Sequence, residues 1–225
     1  MTDIFSNETP IAVVGLSCIL PDSSNVDKFW DNVLKSHVSI IDVPADRWNP
    51  HDFYDANGEP GSVLENKTYC KIGAFVRDFE FDWRRWRIPP GTIPQIDVAQ
   101  LWAIEVSSAA LDHAAYGEGG KEQDRASTGV VYANAMGGEN RDTATLHVHT
   151  DQAIRFAQEA GMTNPESFRE KWTDGLPKID EDTMPGELAN VVAGRVANLL
   201  DLQGPNYTTD AACASSMAAL LDSCR

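Results

Sequence analysis

Short apolar runs alternate along this chain with longer segments of helical periodicity. Ile11 to Val14 is apolar and β-branched and ends at Gly15, and Gly129 to Ala133 is a second short run of the same kind. Such runs are typical of strands that are buried on both faces of a parallel sheet. With a helical pattern between the two runs, the sequence predicts βαβ topology and an α/β fold.

Three apolar stripes at helical spacing predict amphipathic helices. The first helix should have its N-cap at Ser24 or Asn25 and pack on the sheet. The second should begin at Asp97, with Gln100 three residues later as in a capping box, and end at Gly117. The stripes comprise Val26, Phe29, Trp30, Val33, Leu34 and His37, then Leu101, Ile104, Ser108, Leu111 and Ala115, and finally Leu188, Val191, Val192, Val196, Leu199 and Leu200.

The segments between these stripes predict a long loop, a short hairpin and further helices. Pro, Asp, Asn and Gly are frequent from Asp42 to Gly61, which favours an ordered loop. Apolar and aromatic residues from Lys71 to Phe81 predict a short hairpin. Farther along, a helix is expected to stop at Gly161, and the next one to use Asn164 as its N-cap.

The charge of the chain restricts its partners. There are 34 acidic and 18 basic residues, which give a formal net charge of −16. Nucleic acids and anionic membranes require clustered Lys and Arg, so neither is expected as a partner. The start, MTDIFSNETP, lacks the basic and apolar regions of a signal peptide, and the run IAVVGLSCIL is too short to span a bilayer. We therefore expect a cytoplasmic protein.

One of the four cysteines lies in a context that activates thiols. Cys18, Cys70, Cys213 and Cys224 are irregularly spaced without a CxxC pair, so no zinc ribbon or disulfide framework is suggested. Cys213 lies in TTDAACASSMAALL, where a β-prone run turns into a helix. Free backbone N–H groups and the positive helix dipole at such a position favour the thiolate. The small neighbours permit a sharp turn and leave room for a substrate carbonyl, so Cys213 is predicted to be a nucleophile.

Several further motifs occur in a fixed order. They are IAVVGLSCILPDSSNVDKFW, VPADRW at Val43 to Trp48, GAFVRDFEFD at Gly73 to Asp82, AGRVANLLDLQGP at Ala193 to Pro205, and DAACASS around Cys213. From about Ile11 to Arg225 the chain resembles the N-terminal half of β-ketoacyl synthases. The resemblance is to the ketosynthase domains of type I polyketide and polyunsaturated-fatty-acid synthases.

The resemblance implies the thiolase-like fold, in which two βαβ halves form five layers in the order α-β-α-β-α. This chain would contain only the first part of the N-terminal half. Residues 1–10 are interpreted as an N-terminal tail, and residues 11–225 as the N-terminal portion of a ketosynthase domain, truncated after the nucleophile helix. The end of the chain, without a recognisable C-cap, supports the expectation of a truncated domain or a fragment.

The resemblance also implies a reaction. Cys213 matches the family's acyl-accepting cysteine, which takes an acyl group from the phosphopantetheine arm of an acyl carrier protein. Its own backbone N–H would contribute to the oxyanion hole. The condensation stage, with a malonyl-type extender, uses two histidines and a lysine from beyond this chain's end, so the isolated chain should not condense. No cofactor is expected on the chain itself, and the complete protein should be a homodimer.

Two other features bear on the site. Met136, in ANAMGG, matches the position where condensing enzymes often hold an aliphatic residue that gates the acyl pocket, although a methionine that fills a core gap explains it equally well. His147 and His149 form an HxH pair, but residues two apart on a helix do not share a face, so no metal site is expected. None of the five histidines receives a catalytic role.

The sequence does not determine the ketosynthase subgroup or whether the chain is catalytically active. Many relatives in this family read DTACSSS and MDPQQR where this chain has DAACASS and IDVAQL. The run RIPPGTIPQID resembles polyunsaturated-fatty-acid and related iterative synthases more than modular polyketide synthases. The alternative to an acyltransferase is a non-catalytic ketosynthase-like partner, or an inactive fragment, that serves in dimerisation or carrier-protein contact. An α/β-hydrolase is disfavoured because G-x-S-x-G is lacking, and a dinucleotide site because GxGxxG is lacking.

Overall fold

The computed structural model describes residues 10–58, 66–117, 119–135 and 138–224. The chain divides into two compact units. The smaller unit is Ser17–Glu80, and the larger comprises Phe81–Arg225 together with the described part of Met1–Leu16. None of the helices in the described ranges combines the length and the apolar character that crossing a membrane requires.

Within its described residues, the smaller unit contains two short helices and one pair of strands. The elements are α1 (Val26–Leu34), β1 (Ile40–Asp42), α2 (Pro50–Phe53) and β2 (Ile72–Ala74). β1 and β2 pair in antiparallel fashion, with Ile40 opposite Ala74. The described part of the predicted long loop after Asp42 therefore contains one short helix, which begins after an Asn49 cap.

α1 confirms the predicted helix but not its predicted packing. The Asn25 side chain accepts a hydrogen bond from the Lys28 N–H at 2.9 Å, so Asn25 and not Ser24 is the N-cap. No residue of α1 is buried, and Trp30 keeps 57% of its surface exposed. The expectation that this stripe packs on the sheet is therefore wrong. An amphipathic pattern indicates which face is apolar, whereas burial needs a partner surface that the pattern does not supply.

The predicted hairpin within Lys71 to Phe81 is also corrected. The strand β2 exists, but its partner is β1, which lies well before it in the chain. The Val76 carbonyl accepts a hydrogen bond from Arg47 Nη2 at 2.9 Å. A side chain thus engages a backbone acceptor of the segment after β2, and within the described residues this segment forms no strand with β2.

The larger unit contains a two-stranded parallel sheet and seven helices within its described residues. They are α3 (Val98–His113), β3 (Val130–Ala133), α4 (Glu139–Val148), α5 (Thr150–Glu159), α6 (Pro165–Asp174), α7 (Thr183–Glu187), α8 (Val191–Leu199), β4 (Asn206–Thr209) and α9 (Ser215–Ser223). In the sheet, Val130 lies opposite Asn206 and Ala133 opposite Thr209. α8 packs against α3 and both strands, and α9 packs against β3. β3 and β4 form a parallel βαβ unit, whereas the βαβ unit predicted from Ile11 to Val14 and Gly129 to Ala133 is not formed, because the first of these runs is not a strand.

The predicted first strand is not formed. Ile11 to Val14 has no strand partner within the described residues, and Val13 is 78% exposed. The chain instead meets the end of α3, where the Leu16 N–H donates to His113 Nδ1 at 3.2 Å. A Cβ on Gly15 would overlap the Ala110 carbonyl, so only glycine permits this approach. An apolar run forms a strand only when a partner strand bonds to its backbone, and apolar composition alone does not supply that partner.

α3 and α8 form the centre of the core. Leu101, Ile104 and Ser108 are buried as predicted, and Ile104 is 0% exposed. They pack with the buried face of α8, which comprises Val192, Ala193, Val196 and Ala197.

The end of α3 differs from its prediction. The helix ends at His113, before the predicted stop at Gly117, and Ala115 adopts a φ of +64°. An alanine therefore takes the left-handed position that the sequence assigns to a glycine.

The later helices largely follow the sequence. α5 ends at Glu159 and is followed by Gly161 with a φ of +99°. The Asn164 side chain accepts from the Ser167 N–H at 3.1 Å and caps α6. The chain then passes through α8 and turns into β4, which leads to Cys213.

Candidate functional site

The candidate site is the turn between β4 and α9. β4 ends at Thr209, a 3-10 turn spans Ala212–Ala214, and α9 follows directly. Ala212 has a φ of +49°, a conformation that is costly for a residue with a Cβ. Cys213 is the middle residue of this turn. The strand-to-helix turn predicted from the small residues around Cys213 is therefore present.

Two polar side chains hold the turn in shape. Asp210 Oδ1 accepts a hydrogen bond from the Ala212 N–H at 2.8 Å. Ser215, which is buried, accepts from the Ala211 N–H at 2.9 Å and donates to the Ala212 carbonyl at 2.6 Å. Because these bonds compensate the strained backbone at Ala212, Asp210 and Ser215 fix the position of the cysteine between them.

The turn presents the thiol of Cys213 and leaves its amide available. The side chain of Cys213 is exposed, and the residue lies two positions before α9, near the positive end of the helix dipole. The Ala214 N–H donates to the Ala211 carbonyl at 3.0 Å, whereas no acceptor within the described residues engages the N–H of Cys213. A sulfur atom and a free N–H at one residue are the groups that a thioester carbonyl would need.

The end of β3 lies beside this turn. The Asn134 N–H donates to the Thr209 carbonyl at 3.2 Å, which extends the pairing of β3 and β4 by one residue. The two connections that follow these strands therefore leave the same edge of the sheet. Met136, predicted to gate the acyl pocket, belongs to the connection after β3 but lies outside the described residues, so its role stays a prediction.

The other cysteines differ from Cys213 in their surroundings. Cys70 and Cys224 are exposed, but Cys70 lies just before β2 and Cys224 is the C-cap of α9. Burial raises the pKa of the Cys18 thiol, which suits an inert side chain. Among the exposed cysteines, Cys213 thus has the setting expected of a nucleophile.

The two histidines of the HxH pair point to different partners. His147 Nδ1 lies 2.9 Å from the Pro177 carbonyl, and His149 Nδ1 lies 3.0 Å from Gln152 Oε1. Within the described ranges, no group of three or more His, Cys, Asp or Glu side chains is arranged to hold a metal ion. These histidines contribute hydrogen bonds to the helical region between β3 and β4.

The structure adds residues that the sequence does not single out. In the sequence, Asp210 and Ser215 are noticed only as neighbours of the cysteine. In the structure, their side chains stabilise the turn by hydrogen bonds to its backbone. The Asp-x-x-x-x-Ser spacing across a strand-to-helix junction is a usable signal, because Asp and Ser commonly bond to nearby backbone groups at turns.

Two features define the class of protein. One is the parallel βαβ unit, and the other is the cysteine-bearing turn through which its second strand leads to a helix N-terminus. The fold is thiolase-like, and the chain contains the first part of its N-terminal half. Residues 8–225 match the family model described as "Beta-ketoacyl synthase, N-terminal domain". The chain belongs to this family.

Curated relatives and solved structures agree with this assignment. The chain is 29% identical to a polyunsaturated fatty acid synthase of Thraustochytrium, over 95% of this chain and 7% of that protein. It is also 29% identical to a mycocerosic acid synthase-like polyketide synthase of Mycobacterium tuberculosis, over 96% of this chain and 9% of that protein. The chain thus spans less than a tenth of the length of these relatives.

The solved structures support the fold. A ketosynthase domain of the oxazolomycin system of Streptomyces albus has a TM-score of 0.63 and 22% identity, over 95% of this chain and 31% of that one. A ketosynthase from module 6 of the bacillaene synthase of Bacillus subtilis has a TM-score of 0.58 and 21% identity, over 94% of this chain and 28% of that one. The chain therefore corresponds to about a third of a ketosynthase structure.

Proposed function

We propose that this chain is the acyl-accepting part of a β-ketoacyl synthase, an acyltransferase that forms carbon–carbon bonds in polyketide or fatty acid synthesis. Cys213 takes an acyl group from the phosphopantetheine arm of an acyl carrier protein. The observation that supports this most directly is the turn itself, which places an exposed thiol and an unengaged N–H on one residue ahead of α9.

The transfer is a thioester exchange. The sulfur of Cys213 forms a bond to the thioester carbonyl carbon, and the oxygen carries the negative charge beside the Cys213 N–H. The carbonyl then re-forms as its bond to the pantetheine sulfur breaks, and the proton of the Cys213 thiol ends on the released pantetheine thiol. Covalent capture of this kind divides a difficult reaction into two easier stages.

The second stage belongs to the complete synthase. A malonyl-type extender loses CO₂, and the resulting carbanion attacks the thioester carbonyl on Cys213. A carbon–carbon bond forms, and the cysteine leaves as a thiolate. The names of the relatives are consistent with this chemistry, since they are synthases of fatty acids and polyketides. We further propose a homodimer as the complete enzyme and a cytoplasmic location, both as expected from the sequence.

The 225-residue chain should be acylated by an acyl-pantetheine thioester. We expect one acyl group per chain, located at Cys213 by peptide mass spectrometry, because this thiol alone of the three exposed ones lies in the strand-to-helix turn. The Cys213→Ala variant should not be acylated. Cys70→Ala and Cys224→Ala are matched controls, because each removes another exposed thiol, and both should retain full labelling.

Two results would contradict the proposal. Labelling spread evenly over the exposed cysteines would show that Cys213 has no special reactivity. No labelling of the wild-type chain would favour the non-catalytic ketosynthase-like partner instead.

A further inference from the structure

The peptide group between Ala212 and Cys213 is held by a buried serine. The Ala212 carbonyl accepts two hydrogen bonds from Ser215, one from its N–H and one from its hydroxyl, with 2.6 Å between the two oxygen atoms. Ser215 is 8% exposed, and its Oγ also accepts from the Ala211 N–H at 2.9 Å. Because the hydroxyl has one donor and one acceptor as partners, its own orientation is fixed, and the Ala212 carbonyl has a defined direction.

The direction of this carbonyl determines the direction of the Cys213 N–H. Both belong to one planar peptide group, and the described residues contain no cis peptide bond. In a trans peptide group the C=O and the N–H point in opposite directions. Since Ser215 holds the carbonyl toward the start of α9, the N–H of Cys213 points away from the start of that helix.

The preceding peptide group is held as well. Asp210 Oδ1 accepts from the Ala212 N–H at 2.8 Å, and the Ala211 carbonyl accepts from the Ala214 N–H at 3.0 Å. The φ of Ala212 is +49°, which is costly for a residue with a Cβ. Because both ends of this peptide group are bonded, the turn does not relieve that strain by rotating it.

The arrangement leaves one donor free in a fixed direction. Among the N–H groups from Ala211 to Ser215, that of Cys213 is the one that no acceptor within the described residues engages. When the sulfur attacks a thioester, the carbonyl oxygen takes up negative charge and needs such a donor. We propose that Ser215 is a positioning residue, which directs the Cys213 N–H at this oxygen by holding the Ala212 carbonyl. The inference rests on the proposed function, since the oxygen belongs to the acyl group that Cys213 accepts.

The test compares two reactions of the same thiol. Attack on an acyl-pantetheine thioester forms the charged oxygen, whereas an iodoacetamide linked to the same pantetheine arm loses iodide in a displacement that forms none. Both reactions need the Cys213 thiolate and room for the same arm, so the ratio of their rate constants does not depend on ionisation or access. In Ser215→Ala the ratio of acylation to alkylation should fall by about tenfold or more, because a misdirected donor stabilises the transition state less.

Three further variants keep the test decisive. Ser215→Thr retains the hydroxyl and should keep the wild-type ratio. Ser223→Ala removes a hydroxyl from the other end of α9, where its Oγ donates to the Ala219 carbonyl at 2.7 Å, and it should also keep that ratio. Asp210→Ala frees the preceding peptide group and should lower the ratio, so it decides the question if Ser215→Ala does not fold.

Three results would overturn the positioning role. They are a wild-type ratio in Ser215→Ala or, if that variant does not fold, in Asp210→Ala, an equal fall in Ser223→Ala, and a ratio in Ser215→Thr as low as that in Ser215→Ala.

The outcome also separates this inference from the proposed function. If the wild-type chain is alkylated at Cys213 but not acylated, the proposed function fails, and the positioning role fails with it. If the wild-type chain is acylated and Ser215→Ala keeps the wild-type ratio, the positioning role alone fails.

Discussion

Asp22 in the smaller unit is the centre of a charged cluster. Its carboxylate lies 2.9 Å from His37 Nε2 and 2.8 Å from Arg77 Nη2, and its carbonyl accepts from Asn32 Nδ2 at 3.0 Å. The hydrogen bond with His37, followed by those with Arg77 and Ser39, lowers the pKa of Asp22 to about 2. The φ of Asp22 is +55°, which an aspartate tolerates better than most residues. Distant parts of the unit thus meet at one carboxylate.

The lowered pKa of Asp22 predicts a loss of stability in acid. An unfolded aspartate has a pKa of about 3.9, so the stabilisation by Asp22 is complete above that pH and is lost as the pH falls towards about 2. The Asp22→Asn variant keeps the backbone conformation but not the charge. The wild-type chain should have the higher urea midpoint at neutral pH, and the difference should shrink in acid. Tryptophan fluorescence at a series of pH values measures both midpoints.

The matched control for Asp22 is Asp46→Asn, which removes an exposed carboxylate from the same unit. Its midpoint should follow the wild type across the pH range. A difference between wild type and Asp22→Asn that does not depend on pH would mean that the cluster contributes nothing through the charge of Asp22.

At the scale of elements, α3 connects the core with the start of α4. One face packs Leu101 and Ile104 against α8, while its N-cap Asp97 reaches the start of α4. Gln100, which the sequence assigns to a capping box, instead donates to the Gly186 carbonyl and accepts from Arg195. A buried amide that bonds to backbone and to a partly buried guanidinium stabilises one arrangement of the helices.

Truncation of the α3 core should be costly. Ile104→Ala removes a side chain that is 0% exposed, and such changes destabilise proteins by about 2–5 kcal/mol through lost burial and a residual cavity. Leu34→Ala in α1 is the comparison, because Leu34 is 66% exposed and the expected change is within about 0.5 kcal/mol. Urea unfolding of both variants measures the difference. Equal losses would show that the α3 and α8 contact does not determine stability.

At the scale of the whole molecule, charge dominates the surface. The net charge of −16 is spread over 225 residues, and several ion pairs, such as Arg125 with Asp201, lie between exposed side chains. Exposed pairs of this kind contribute little, typically about 0–1 kcal/mol. Repulsion among the excess carboxylates is therefore the larger electrostatic effect on the folded chain.

Salt should consequently stabilise the protein. Raising NaCl from about 10 mM to about 150 mM shortens the Debye length from about 30 Å to about 8 Å and screens the repulsion. We expect the urea midpoint of the wild-type chain to rise over this range. KCl at equal ionic strength is the control, and a different midpoint there would indicate specific ion binding. A midpoint that falls with salt would show that attractive pairs prevail.

The features that the sequence determined are those decided within a few residues of the chain. Asn25 and Asn164 cap their helices as predicted, since an N-cap bonds to N–H groups two or three positions later. The turn at Cys213 was predictable for the same reason, because small residues and a strand-to-helix junction lie side by side. The family motifs added the catalytic assignment of this cysteine, which stays a prediction until acylation is measured.

The features that only the tertiary structure decided depend on residues far apart in the chain. Ile11 to Val14 forms no strand within the described residues, the following Gly15 and Leu16 contact the end of α3, and β2 pairs with β1 and not with its own neighbour. Asp97 reaches a second helix 43 positions later. Periodicity and capping rules describe local geometry, whereas these contacts depend on which surfaces the folded backbone brings together.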